Sequence, residues 1–106
     1  MGPQLTLVYQ PEHPRSLVVR GEIDIYTVPD LQDCLRLAVQ GDPPGAVVTV
    51  DLSEVSFIDS RGLTALVEAE AYASVRGIRL LFARIPSAIS RVLRITGLSL
   101  NGPGVS

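Results

Sequence analysis

The 106-residue sequence contains no lysine and no tryptophan, one cysteine, one histidine and no long apolar run. Each shortage excludes something. With Cys34 alone, neither an intrachain disulfide nor a cysteine-based metal site can form; its place at an apolar helical position makes it a small core residue. His13 stands between Pro11 and Pro14 in a stretch that reads as a loop, without partners for catalysis or metal binding. No run approaches the roughly 18 apolar residues of a membrane span, and the start lacks a basic region followed by an apolar stretch. The sequence therefore predicts a cytoplasmic protein without a membrane span.

What is present points to one folded domain. Nearly half the residues are apolar and about a fifth are charged, which argues against disorder. A chain of this length buries roughly 65% of its unfolded surface. The net charge of −2 gives no polyelectrolyte reason for direct nucleic-acid binding. The charge is nevertheless uneven: residues 1–60 hold nine acids and three arginines, residues 61–106 two acids and six arginines. This predicts an acidic and a basic region if the fold segregates them.

Two strand-like runs, "QLTLVYQ" and "SLVVRGEI", read as a hairpin around "QPEHPR". In "TVPDLQDCLRLAVQG", Thr27 and Asp30 have capping-box spacing and Pro29 falls in the first turn, so a helix begins there and ends at Gly41. The β-branched run "AVVTVDL", residues 46–52, predicts a central strand buried on both faces, followed by a polar interruption at "SEVS". Gly62, Ala65, Leu66, Ala69, Tyr72 and Ala73 form one helical stripe, with Arg61, Thr64 and Glu68 opposite. "IRLLFA" predicts a further strand and "SAISRVLRITG" a helix capped by Ser87, with Ile89, Val92 and Leu93 inward and Arg91 and Arg94 outward. Two strand–helix–strand crossovers favour parallel pairing. The fold class is α/β: a mixed sheet with an opening hairpin and helices packed on it, in a single domain spanning 1–106, of which 101–106 is a loose tail.

The chemistry concentrates in "FIDSRG", residues 57–62. Ser60 lies where a central strand ends and a helix starts, a location that accommodates anions and hence a phosphate carrying about −1.5 to −2 charge. Either Ser60 or Asp59 can cap that helix, both residue types being good N-caps. Gly62 lets another backbone approach closely. A nucleophilic role is weaker, because the hydrolase elbow needs glycine two residues before the serine, where this chain has Ile58. An acidic pocket of Asp24, Asp51 and Asp59, as in a receiver domain, lacks the basic residue such a site uses, normally a lysine.

Taken together, "GEIDIYTVPDL", "VVTVDLSEVSFIDSRGLTAL" and "RVLRITGL" resemble a STAS domain, and within that family the bacterial anti-sigma factor antagonists. The resemblance implies a mixed sheet with helices on one side and neither catalytic activity nor a cofactor. It implies capture of an anti-sigma factor that is itself a serine kinase, with release of a sigma factor. Phosphorylation of Ser60 then ends the capture and a PP2C-type phosphatase restores it. On the same resemblance Asp24 and Asp59 should cluster with Ser60, and Asp24, Asp59, Ser60, Arg61, Gly62 and Thr64 form the partner-binding surface. Many antagonists carry Ser or Thr where this chain has Arg61, whose guanidinium can pair with the phosphate or meet an acid on the kinase. The alternative is an unmodified STAS scaffold or a subunit of a membrane lipid-transport complex.

Overall fold

A computed structural model describes residues 5–10, 15–98, 100 and 101. The element order is β1 (Leu5–Gln10), β2 (Ser16–Ile23), α1 (Val28–Gln40), β3 (Val47–Ile58), α2 (Ser60–Val75), β4 (Arg79–Ala83) and α3 (Ser87–Thr96). The strands form one sheet in the order β1-β2-β3-β4. β1 pairs antiparallel with β2, while β2–β3 and β3–β4 are parallel. This is the mixed α/β sheet with an opening hairpin that the sequence predicts; the loop carrying His13 lies outside the described residues.

The sheet buries one face only. Leu17, Val19 and Ile23 of β2, Val48, Val50, Leu52, Val55 and Ile58 of β3, and Leu80 and Phe82 of β4 join the buried helix residues in one core. Val47 is exposed and Thr49 and Asp51 only half-buried, so the prediction of a strand buried on both faces does not hold. β3 is central, but its outer face is open. Nor does the strand stop at "SEVS": it runs through it to Ile58.

Two irregularities explain why that stretch reads as a polar interruption. Val18 is paired with Asp51 but Arg20 with Glu54, and Gly21 with Val55 but Glu22 with Phe57. At each step β3 carries one residue more than β2, a bulge, and Gly21 stands beside them at φ 112°, where only glycine is comfortable. Period-two alternation is thereby broken twice. The inward residues fall at 48, 50, 52, 55 and 58 instead of every second position.

The helices begin differently from the sequence expectation. Thr27 precedes α1 but sits near the helical region (φ −99°, ψ −17°) and makes no side-chain cap bond. Its hydroxyl turns back, donating to the Glu22 carbonyl at 2.8 Å and accepting from the Asp24 N–H at 2.9 Å, so the predicted capping box is replaced by a lock on the β2–α1 turn. In α3 the cap position is Pro86, with extended ψ of 148°, and Ser87 is already helical. Ile89 and Leu93 are buried and Arg91 and Arg94 exposed, as predicted. Cys34 is half-buried, and burial pushes its thiol pKa up, in keeping with a packing role.

Two ties hold the ends of the sheet. Asp42, whose side chain is wholly buried, lies 2.6 Å from the Arg15 guanidinium, yet the contact lacks hydrogen-bond alignment and acts through charge. Asn101 donates from Nδ2 to the Phe82 carbonyl at 2.9 Å and accepts on Oδ1 from the Phe82 N–H at 2.7 Å. The side-chain amide thus replaces a missing strand along β4, and Leu100 beside it is buried. The loose tail predicted for 101–106 therefore fails at its first residue; 102–106 lie outside the described residues.

Candidate functional site

β2 and β3 end side by side, Ile23 opposite Ile58. The Asp59 N–H donates to the Ile23 carbonyl at 3.2 Å. The chain then turns directly into α2. Asp59 is the last extended residue (φ −101°, ψ −177°), and its Oδ1 accepts from the Gly62 N–H at 2.9 Å. Asp59 is therefore the N-cap, and of the two residues the sequence left open, Ser60 is released from that task. Ser60 occupies the first helical position, is exposed, and forms no side-chain hydrogen bond among the described residues.

Gly62 is buried because the first turn of α2 presses onto the strand ends. A Cβ there would lie 2.6 Å from Ile23 Cγ2 and 3.0 Å from the Ile23 carbonyl oxygen. The close backbone approach predicted at this glycine comes from β2 of the same chain. This burial removes Gly62 from the partner-binding residues; it positions Ser60 instead.

Asp24 follows Ile23 and thus adjoins Asp59 along the strand ends. Its Oδ1 accepts from the N–H groups of Tyr26 at 2.9 Å and Thr27 at 3.1 Å, an Asx turn that carries the chain into α1. That oxygen is therefore committed to the turn. Asp51 lies elsewhere. Burial alone raises its pKa, but hydrogen bonds from Ser53 and the Arg84 charge outweigh this and hold it below its ordinary value. Among the described residues no three carboxylates, histidines or cysteines come together in a metal-holding group, so the acidic pocket of Asp24, Asp51 and Asp59 is not assembled.

Ser60, Arg61, Thr64 and Glu68 form one wall of a groove of about 430 Å3, and Ile25, Val28, Pro29 and Gln32 form the other. The face predicted to carry Arg61, Thr64 and Glu68 is the one lining it. Arg61 makes no ion pair among the described residues. Large apolar side chains that the sequence reading did not single out are exposed here: Ile25 of the groove wall is 51% exposed and Tyr26 next to it 87%, while Phe57, 51% exposed, borders a separate hollow with Pro86, Ala88 and Val92. The available signal was the run "DIYTVP", where an isoleucine and a tyrosine occupy a turn that has no need of them.

A mixed sheet of this order, helices on its buried face and a solvent-facing serine at the β3–α2 junction define a STAS domain, and the chain belongs to that family: the model for the Mlab STAS domain matches residues 7–100. Its relatives include the anti-sigma-B factor antagonist of Listeria monocytogenes, 37% identical over 84 residues that cover 79% of this chain and 72% of the relative. That of Staphylococcus aureus is 34% identical over 80 residues, 76% of this chain and 72% of its own. Among solved structures, an anti-sigma factor antagonist from Mycobacterium paratuberculosis has a TM-score of 0.70 at 28% identity, covering 96% of this chain and 86% of that one. The unphosphorylated form of the antagonist SpoIIAA shares the fold, with a TM-score of 0.62 at 20% identity over 88% of this chain and 82% of its own.

Proposed function

We propose that this protein is an anti-sigma factor antagonist whose capture of a serine-kinase anti-sigma factor is ended by phosphorylation of Ser60 and restored by a PP2C-type phosphatase. The observation that carries this reading is the division of labour at the start of α2: Asp59 caps the helix, so the exposed Ser60 hydroxyl is available for modification. The protein acts by binding, and the groove with Ile25 in its wall and Tyr26 next to it supplies apolar surface for a partner to cover.

A phosphate on Ser60 brings about −1.5 to −2 charge to the first turn, which the helix dipole tolerates. The bound partner tolerates it less. The anion sits beside the Asp59 carboxylate on a surface that must lose water when covered, and both repulsion and desolvation oppose docking. A penalty of about 3 kcal/mol weakens binding more than a hundredfold. Arg61, adjacent and unpaired, sets the size of that penalty by how far it neutralises the phosphate.

The test is incubation with ATP and the cognate anti-sigma kinase, mass spectrometry of the Ser60 peptide, and pull-downs with Ser60→Ala and Ser60→Asp as paired baits. We expect phosphate on Ser60, retention of the partner by Ser60→Ala and its loss by Ser60→Asp. An unmodified Ser60, or undiminished capture by Ser60→Asp, ends the reading.

A second reading has one feature in its favour: the exposed Ile25 and Tyr26 offer a docking surface that needs no modification. On it the chain is an unphosphorylated scaffold or a subunit of a membrane lipid-transport complex. No helix among the described residues is long and apolar enough to cross a membrane, so attachment would go through a partner. Neighbouring genes separate the readings, kinase and sigma genes favouring the switch, permease and ATPase genes the transport subunit.

A further inference from the structure

The two edges of the sheet are finished differently. On the β4 side, Asn101 occupies the backbone of Phe82 through both its N–H and its carbonyl. On the β1 side, nothing among the described residues bonds to the outer edge of Leu5–Gln10. Natural edge strands are protected by charge, proline, bulges or shortness. β1 has six residues, "LTLVYQ", with no charge, no proline and no glycine, and it pairs with β2 in unbroken register.

The inner stripe of β1 is also incompletely covered. Leu5, Leu7 and Tyr9 pack against the core yet are only half-buried, whereas the corresponding residues of β2, Leu17 and Val19, are fully buried. Both shortfalls, in hydrogen bonding and in apolar cover, lie on the same strand.

We propose that β1 is a self-association edge, and that a second copy of this chain pairs its own β1 antiparallel against it across a two-fold axis. The strand is self-complementary in the way this needs. With Leu7 opposite its symmetry mate, Leu5 faces Tyr9 and Thr6 faces Val8; with Val8 opposite its mate, Leu7 faces Tyr9 and Thr6 faces Gln10. Either register keeps the half-buried stripe on the core side of both copies, whereas a shift by one residue places Leu7 against Val8 and sends apolar side chains to the wrong face. No like charges meet, because the strand has none. The two sheets become one continuous sheet, and Ser60, which follows β3 two strands further in, is left open on each half.

The test is sedimentation velocity of the full chain over a concentration series reaching about 1 mM, together with hydrogen exchange read on residues 5–10. We expect a reversible monomer–dimer equilibrium, and β1 amides that exchange more slowly as concentration rises. In the double variant Thr6→Lys/Val8→Lys the added ammonium groups oppose one another in both registers. Both positions are exposed in the monomer, so its thermal melt should hold while dimer affinity falls at least about tenfold, with partial recovery in high salt. A chain that stays monomeric throughout overturns the proposal. So does a dimer that ignores the double variant and leaves β1 exchange unchanged.

Discussion

A methyl group added at Gly62 would stand 2.6 Å from Ile23 Cγ2, 2.7 Å from Ile58 Cγ1 and 3.0 Å from the Ile23 carbonyl oxygen. Both side-chain atoms sit on the branched Cβ of a buried isoleucine and have little room to shift, and the carbonyl belongs to a strand already bonded to Asp59. Alanine would contribute about 1 kcal/mol of helix propensity, and overpacking costs about 1–3 kcal/mol. Gly62→Ala should therefore lose up to about 2 kcal/mol, read as a lower urea midpoint, while Thr64→Ala, exposed two residues on, should stay within about 0.5 kcal/mol. The sequence showed that Gly62 marks a close approach but not what approaches, because the β2 backbone reaches it only through tertiary pairing. The cap was ambiguous for a different reason: aspartate and serine cap equally well, and only the backbone angle of Asp59 decides between them.

At the scale of an element, Asn101 is the least legible feature. An asparagine before glycine near the end of a sequence looks like a turn or a tail, yet here its amide donates to the carbonyl of Phe82 at 2.9 Å and accepts from the N–H of the same residue at 2.7 Å. Asn101→Ala leaves the N–H and carbonyl of Phe82 without those partners, an expected loss of about 1–3 kcal/mol. The distinguishing readout is faster exchange of the Phe82 amide, with β1 and β2 amides changing less. The stripes of α2 and α3 were legible because helices keep their period. Leu63 was not, since it lies beside the stripe and is buried only because the first turn of α2 presses onto the strand ends.

Across the whole molecule, element order and sheet type were readable from β-branched runs and crossovers, whereas which sheet face is covered was not. A run such as "VVTVDL" satisfies either one-sided or two-sided burial, and the open face carries charges that settle among themselves. On it Arg20 grips Glu54 through two hydrogen bonds of 2.9 and 3.0 Å. Those bonds and the Arg20 charge hold the Glu54 carboxyl below its ordinary pKa, and Asp51 is likewise depressed. The folded chain therefore binds fewer protons than the unfolded one in the acid range. The resulting stability is present above the ordinary carboxylate pKa of about 4 and is lost as pH falls through the depressed values. Melting temperature should decline below about pH 4, and less steeply in an Asp51→Asn/Glu54→Gln variant, as thermal melts across pH will show.

The two bulges of β3 bear on how such a chain can change over time. Because each bulge stores one residue beyond the regular pairing with β2, deleting a single residue there restores period-two alternation and leaves everything between the cut and the helix on the face it already occupies. Ile58 would still face the core opposite Ile23, and the turn that delivers Ser60 would keep its side of the sheet. Substitutions in "SEVS" cost little, since most of its side chains are exposed, and its length shares part of that freedom. The segment works as slack in the strand, a length that can shorten by one residue without re-aiming the serine beyond it.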